Sequence, residues 1–473
     1  MVFSSSIFLF GFLPLFLLVY YLVPIRFKNL AAIIGSIIFY IWGAPIFILV
    51  IFASIICDFL FAKLIFASKG QKRKIILGIA ITVNVSILLY FKYANFFVEN
   101  FNTLMIDFGL KPMKWMEIAL PIGISFFTFH EMSYLIDVYR GVKPPMKNIL
   151  NYSLYILYFP QLIAGPIIRF NEISDQIEER SYQYTLDNRL YGLYRFITGL
   201  AKKVLIANVL GDKADAIFAL SGNDLTTGLA WIGVLAYAFQ IYFDFSGYSD
   251  MAIGIARMMG FVFPENFNNP YISQSITEFW RRWHMSLSRW MKDYLYISLG
   301  GNKVSAGRMY FNLCFVFVIS GFWHGAEWNF VAWGAYHGLF LIADRLFLLK
   351  ILKKLGKYPS IILTFFFTLI GWVLFRGENM NHIGVYLAKM FSFHTGITHV
   401  NFTEDFWITL AIAVFFSFFC TPKFGQKLHD LFFGYQYGFK SKVFLGIVFV
   451  FLFILSVAFI TSSGFNPFIY FRF

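Results

Sequence analysis

Two histidines, His284 and His324, stand in the most chemically loaded part of this chain. His284 lies in EFWRRWHMSLSRWMKDYLYISLGGN (278–302) and His324 in SGFWHGAEWNFVAWGAYHG (320–338). Imidazole ordinarily titrates near neutrality, so it can take a proton and return it within one reaction cycle. A near-uninterrupted apolar run, 310–320, precedes His324 and sets it deep. An ionisable side chain at membrane depth costs at least a few kcal/mol, which makes function the default reading. Gly321 and Gly325 bracket His324, so other backbone can approach there or the helix can break. His284 follows Trp280 and Trp283 and sits beside Arg281 and Arg282, cations able to hold phosphate. The two histidines are 40 residues apart, so only the fold can make them cooperate.

The elements that must position them are legible as patterns. Trp280, Trp283, Leu287, Trp290 and Tyr294 recur at helical spacing and form one stripe. The spacing predicts an amphipathic helix over 278–299, lying in the membrane interface with its aromatic side in the acyl chains. On that helix His284 would share a neighbouring stripe with Ser288, Met291 and Leu295. His130, Asp137, Asp244, Asp250 and His337 also lie in apolar context. Polar packing between helices is the plainer reading for most of them, although Asp244 or Asp250 could orient a histidine or pair with an arginine.

Composition fixes the class. Of the 473 residues 59% are hydrophobic and 14% charged, against about 25% charged in an average soluble domain. Apolar segments fall near 5–24, 30–43, 46–66, 75–92, 118–138, 193–210, 226–245, 309–323, 328–349, 359–376, 405–421 and 442–463. Each span needs roughly 20 apolar residues, so about 10–12 transmembrane helices are expected. Pro121 and Gly123, and then Pro160, Gly165 and Pro166, interrupt the middle segments. Irregular backbone at membrane depth must be buried in protein or line a cavity, which predicts re-entrant pieces around a polar interior. The expected fold is an all-α polytopic membrane protein, one domain over 1–473. The first 24 residues read as a retained span.

The net charge of +14 does not point to nucleic acid. Its lysines and arginines sit in short clusters between apolar segments: Arg26 and Lys28; 69–74; 350–357; Lys440 and Lys442. That is the pattern of cytoplasmic loop anchors. Cys57, Cys314 and Cys420 show no metal spacing and read as small buried residues, so neither a metal site nor a disulfide is expected.

Several stretches resemble the membrane-bound O-acyltransferase superfamily. They are LPIGISFFTF (120–129), YLIDVYRG (134–141), FPQLIAGPIIRF (159–170), YFDFSGYSDMAIGIARMMGF (242–261), NFNNPY (266–271), FWRRWHMSLSRWMKDYLYISLGGN (279–302) and FWHGAEWNFVAWGAYHG (322–338). The resemblance is strongest to the bacterial branch that holds alginate O-acetylation membrane subunits, and it covers most of 1–345. It implies a central tunnel, His324 as catalytic histidine and His284 as its polar companion. Trp283, Arg281, Arg282, Trp323 and Asn329 are then the expected donor-positioning residues. It further implies acetyl-CoA as donor with no tightly bound cofactor, a polysaccharide acceptor, and a secreted or anchored serine-hydrolase-like partner on the outer side. The bacterial inner membrane is the implied location. His130 departs from the glutamine expected there in many relatives, a difference that bears on the acceptor side. Transfer of D-alanyl or another acyl group from a carrier protein to teichoic acid or peptidoglycan stays open as an alternative. From the residues alone, so does a proton-coupled transporter, which also uses intramembrane histidines and broken helices.

Overall fold

The computed structural model describes residues 1–396, 400–427 and 438–462, and all regular structure among them is helical. Among the described residues, seven helices are long and apolar enough to cross a membrane: Ile25–Gly43, Ile48–Ala67, Gly70–Asp107, Thr227–Met258, Ala306–His324, Lys357–Arg376 and Lys442–Ser462. The apolar helix Ile7–Leu22 is shorter. This is a multi-pass membrane protein.

The remaining expected spans are shorter or more polar, for local reasons. The 118–138 segment starts as a turn, because Gly123 takes φ 82° and only then opens the helix Ile124–Arg140. A Cβ at Gly123 would sit 2.5 Å from the Leu162 carbonyl, so that turn requires glycine twice over. The 328–349 segment ends its regular helix at Ala343, before the buried Asp344. The 193–210 segment carries Arg195, Lys202 and Lys203. In 158–168 a four-residue helix, Phe159–Leu162, gives way to irregular backbone that is wholly buried, one of the two environments that tolerate it at membrane depth.

Two compact units organise the chain. The first comprises Ser6–Asn188 with Ala256–Phe263. Phe8, Phe12, Phe16, Phe39 and Phe159 pack ring against ring at its centre. Two buried acids are each held by a neighbour: Asn84 Nδ2 donates to both Asp58 oxygens at 2.9 and 3.0 Å, and Ser54 Oγ donates to Glu131 at 2.5 Å. His130 belongs to this unit, where its Nε2 accepts the Ile168 N–H at 3.3 Å and so ties down the irregular segment. Asp137 accepts the Asn171 N–H at 3.2 Å. Lys28, expected as a loop anchor, is buried instead; it donates to the Tyr20 carbonyl at 2.5 Å and lies over the Tyr20 and Tyr184 rings. Cys57, expected to be buried, is exposed on its helix, while Cys420 is buried.

The second unit takes Arg189–Ile255 and Pro264–Phe473. Its long helix, Thr227–Met258, meets the helix Leu186–Ala201 backbone to backbone. A Cβ on Gly247 would lie 2.7 Å from the Gly199 carbonyl, and one on Gly254 would lie 2.5 Å from the Gly192 carbonyl. Small residues allow such approach in membranes, where helix association rests on close packing. Charges lock the same pair. Arg195 donates to Asp250 at 2.9 Å and to Glu265 at 2.5 Å; Lys202 pairs with Asp250 at 2.7 Å; Lys203 pairs with Asp244 at 2.8 Å. Asp244 and Asp250 therefore answer cations rather than orienting a histidine.

Gly247→Val should lower the thermal unfolding temperature in detergent, because overpacking a tight contact costs about 1–3 kcal/mol. An unchanged melting curve would show that the two helices do not meet there.

Candidate functional site

The stretch around His284 is not one helix. Ile276–Arg282 ends at an extended Trp283, Met285–Trp290 restarts, and a wide π-type turn, Met291–Tyr296, follows. His284 sits in the break with φ 43° and ψ 52°. A left-handed conformation in a non-glycine residue costs roughly 1–3 kcal/mol, persists only when its surroundings impose it, and concentrates at functional sites. Here one residue imposes it. Asn266 is fully buried; its Oδ1 meets His284 Nδ1 at 3.1 Å and accepts from the Ser286 hydroxyl at 2.8 Å and the Ser286 N–H at 3.2 Å. Its backbone carbonyl accepts the Met285 N–H at 2.9 Å, and its Nδ2 donates to Ser249 Oγ at 3.0 Å.

The break changes what the aromatic stripe does. Trp280, Trp283, Leu287, Trp290 and Tyr294 are all buried, so the expected interfacial helix with its aromatic side in lipid is corrected: the stripe packs inward on the second unit. Trp280 lies against Phe317, Trp333 and His337, and Trp283 against Trp372 and Phe279. His284 lies in the break rather than within the continuous helix on which it was expected to share a stripe with Ser288, Met291 and Leu295.

His324 is the last residue of the helix Ala306–His324, and Trp328–Ala343 follows as the second arm of a hairpin. The arms touch closely: a Cβ at Gly321 would overlap the Phe330 carbonyl. His324 is buried among Trp323, Trp333 and Phe375, with ring centroids at 4.8, 5.4 and 5.2 Å. Trp323 also reaches His284, at 6.4 Å, and Phe245 stands edge-on to His284 at 4.7 Å. The fold thus brings His284, Trp323 and His324 into one aromatic enclosure. Trp283 borders it through Trp372, which in turn stacks on Trp333 at 6.5 Å. His337 joins the same wall between Trp280 and Trp333.

The other expected residues are placed differently. Arg281 is exposed. Arg282 is committed to Glu278 at 2.8 Å and to the Asn268 carbonyl at 3.1 Å. Asn329 donates to the Gly377 carbonyl at 2.8 Å and so pins the start of its helix. Asn266, Phe375 and Phe245 were not singled out in the sequence. Only NFNNPY hinted at Asn266, and no spacing ties position 266 to 284.

The enclosure is apolar but holds several polar atoms with no hydrogen-bond partner among the described residues: His284 Nε2, Asn329 Oδ1, Trp280 Nε1, Trp333 Nε1 and His337 Nδ1. A buried polar group left unsatisfied costs about 1–3 kcal/mol, so a group of them marks a place suited to polar substrate atoms or water. Burial pushes the His284 imidazole down to about 3, so its ring is neutral at physiological pH. No cluster of three or more His, Cys, Asp or Glu that could hold a metal occurs among the described residues. A neutral imidazole beside a second histidine in an aromatic cage suits proton transfer to and from a reacting hydroxyl or thiol.

Comparison with known proteins places this geometry in a family. The model of the membrane-bound O-acyltransferase family matches residues 76–375. The probable alginate O-acetylase AlgI of Azotobacter vinelandii is 47% identical over 395 residues, 83% of this chain and 78% of that protein. Its counterpart in Pseudomonas putida is 42% identical over 495 aligned residues, covering 100% of both chains. The peptidoglycan O-acetyltransferase of Helicobacter pylori is 37% identical over 420 residues, 80% of this chain and 78% of that protein. With both histidines inside the matched region, the chain belongs to the membrane-bound O-acyltransferase family and is an O-acyltransferase.

Proposed function

We propose that this protein O-acetylates a cell-surface or secreted polysaccharide, taking acetyl groups from acetyl-CoA on the cytoplasmic side of the bacterial inner membrane. The observation that carries the reading is the shared enclosure of His284, Trp323 and His324, lined by buried polar atoms, His284 Nε2 and Trp333 Nε1 among them, that have no hydrogen-bond partner among the described residues. Relatives named for acetyl transfer to alginate and to peptidoglycan support acetate and a polysaccharide.

In this mechanism a His324 nitrogen accepts the proton of an acceptor hydroxyl as its oxygen attacks the thioester carbonyl carbon. The carbonyl electrons move to oxygen, and the buried indole N–H of Trp333, whose ring lies against His324, donates to that charge. The tetrahedral centre collapses, the C–S bond breaks, and the departing thiolate takes the proton from the imidazolium of His324. His284 orients the hydroxyl. Trp283, Trp323 and Asn329 border the acyl path through a tunnel. Arg281 meets the donor phosphates, and Arg282 supports that wall through its pairing with Glu278. The first acceptor hydroxyl belongs to a serine-hydrolase-like partner on the outer side, which passes the acetyl group to the polysaccharide.

The direct test is transfer of label from radiolabelled acetyl-CoA in membranes carrying wild type or His324→Ala, with and without a candidate outer-side partner. His324→Ala should lower transfer by about 10²–10⁴-fold, the usual worth of a positioned acid–base group, while inserting normally. Wild-type turnover in that variant would remove His324 from the chemistry. His284→Ala should reduce transfer by an equal or smaller factor; full activity at saturating donor would leave His284 a packing residue.

A further inference from the structure

We propose that Asn266 is a positioning residue that fixes the tautomer of His284, leaving its Nε2 as a hydrogen-bond acceptor for a substrate X–H group. The argument rests on which groups have no choice. A side-chain amide can be turned over, and its orientation must be inferred from what surrounds it. Here the Ser286 backbone N–H points at the Asn266 atom 3.2 Å away, and a backbone N–H can only donate. That atom is therefore the carbonyl oxygen. Turned over, the amide would set NH₂ against N–H. The Ser249 hydroxyl, 3.0 Å from the other end, then accepts from Nδ2.

With the amide fixed, His284 is fixed too. Its Nδ1 stands 3.1 Å from the Asn266 oxygen, which only accepts, so Nδ1 carries the hydrogen. A neutral imidazole has one N–H, and Nε2 is left with its lone pair. Nε2 is buried and meets no hydrogen-bond partner among the described residues. The ring cannot simply swing to another arrangement, because the left-handed backbone beneath it is clipped by the same asparagine through the Met285 and Ser286 N–H groups. Asn266 therefore sets where the ring is and which nitrogen is basic.

This assignment rests on the O-acyltransferase site proposed above and sharpens it. His284 receives a hydrogen bond through Nε2 and does not give one, so it serves the nucleophile side of the reaction and not the developing oxyanion. Its ligand is a hydrogen-bond-donating substrate group, the acceptor hydroxyl.

Nitrogen NMR of ¹⁵N-histidine-labelled protein, with His284 assigned by subtracting the spectrum of His284→Leu, reads the tautomer directly. The expected result is a protonated Nδ1 and a bare Nε2. A protonated Nε2 in the folded wild-type protein would overturn the proposal. Kinetics give the second arm. Asn266→Leu should lower kcat for acetyl transfer by about tenfold or more with the KM for acetyl-CoA little changed. Asn266→Asp, which keeps the acceptor oxygen, should restore at least part of that loss. Adding Asn266→Leu to His284→Leu should cost nothing further, since the asparagine acts through the histidine. A full additional loss in the double variant would show that Asn266 acts elsewhere. If wild-type membranes transfer no acetyl label, the acetyl-transfer reading fails; if His324→Ala retains turnover, only the role of His324 fails. If His324→Ala is inactive while the tautomer is reversed, only the role of Asn266 fails.

Discussion

A single buried amide holds the second unit's chemistry in place. Asn266 satisfies two backbone N–H groups, one hydroxyl and one imidazole around a break that no helix would adopt unaided. The strain of a left-handed histidine is tolerable only because these bonds exist together. Buried polar networks are costly when half made and rigid when complete. This one is complete on the Asn266 side and open at the far nitrogen of His284. The opening is what distinguishes it from a closed packing network.

Around that clip the charges do structural duty. Glu265, next in sequence to Asn266, takes the Arg195 guanidinium, and Arg195 also holds Asp250 on the long helix. The segment bearing Asn266 is thus anchored to a helix pair that already touches through glycines. Breaking one partner of a buried pair leaves an uncompensated charge, which is far worse than never having had the pair. Asp250 thus pairs with an arginine, one of the two roles the sequence left open for it, and stands in a longer chain of support: Arg195 and Glu265 first, then Asn266, then His284.

Class and membrane character were legible in composition, and both histidines in their apolar and aromatic settings. The long spans were legible because 18 or more apolar residues need no partner to be recognised. The breaks were less so. Gly123 looked like an interruption inside a span, whereas its positive φ begins the helix after a turn. The stripe at 280–294 had perfect helical spacing and still misled, since a kink at His284 and a wide turn after Trp290 let the same residues point inward. Periodicity reports a face, not what covers it. Asn266 was invisible for a different reason: its bonds reach across 18 to 20 positions of sequence to a left-handed backbone that no local spacing announces.

The π-type turn at Lys202–Ala207 carries its own consequence. A widened turn holds one residue more than the regular path needs, and each residue rotates a helix by about 100°. The turn opens with adjacent lysines that serve different aspartates, Lys202 reaching Asp250 and Lys203 reaching Asp244. It acts as a phase shifter between the two halves of the helix. Deleting one residue there would repair the helical hydrogen bonding and make the segment locally more regular. The downstream half would then face the wrong way, so the better helix would make the worse protein.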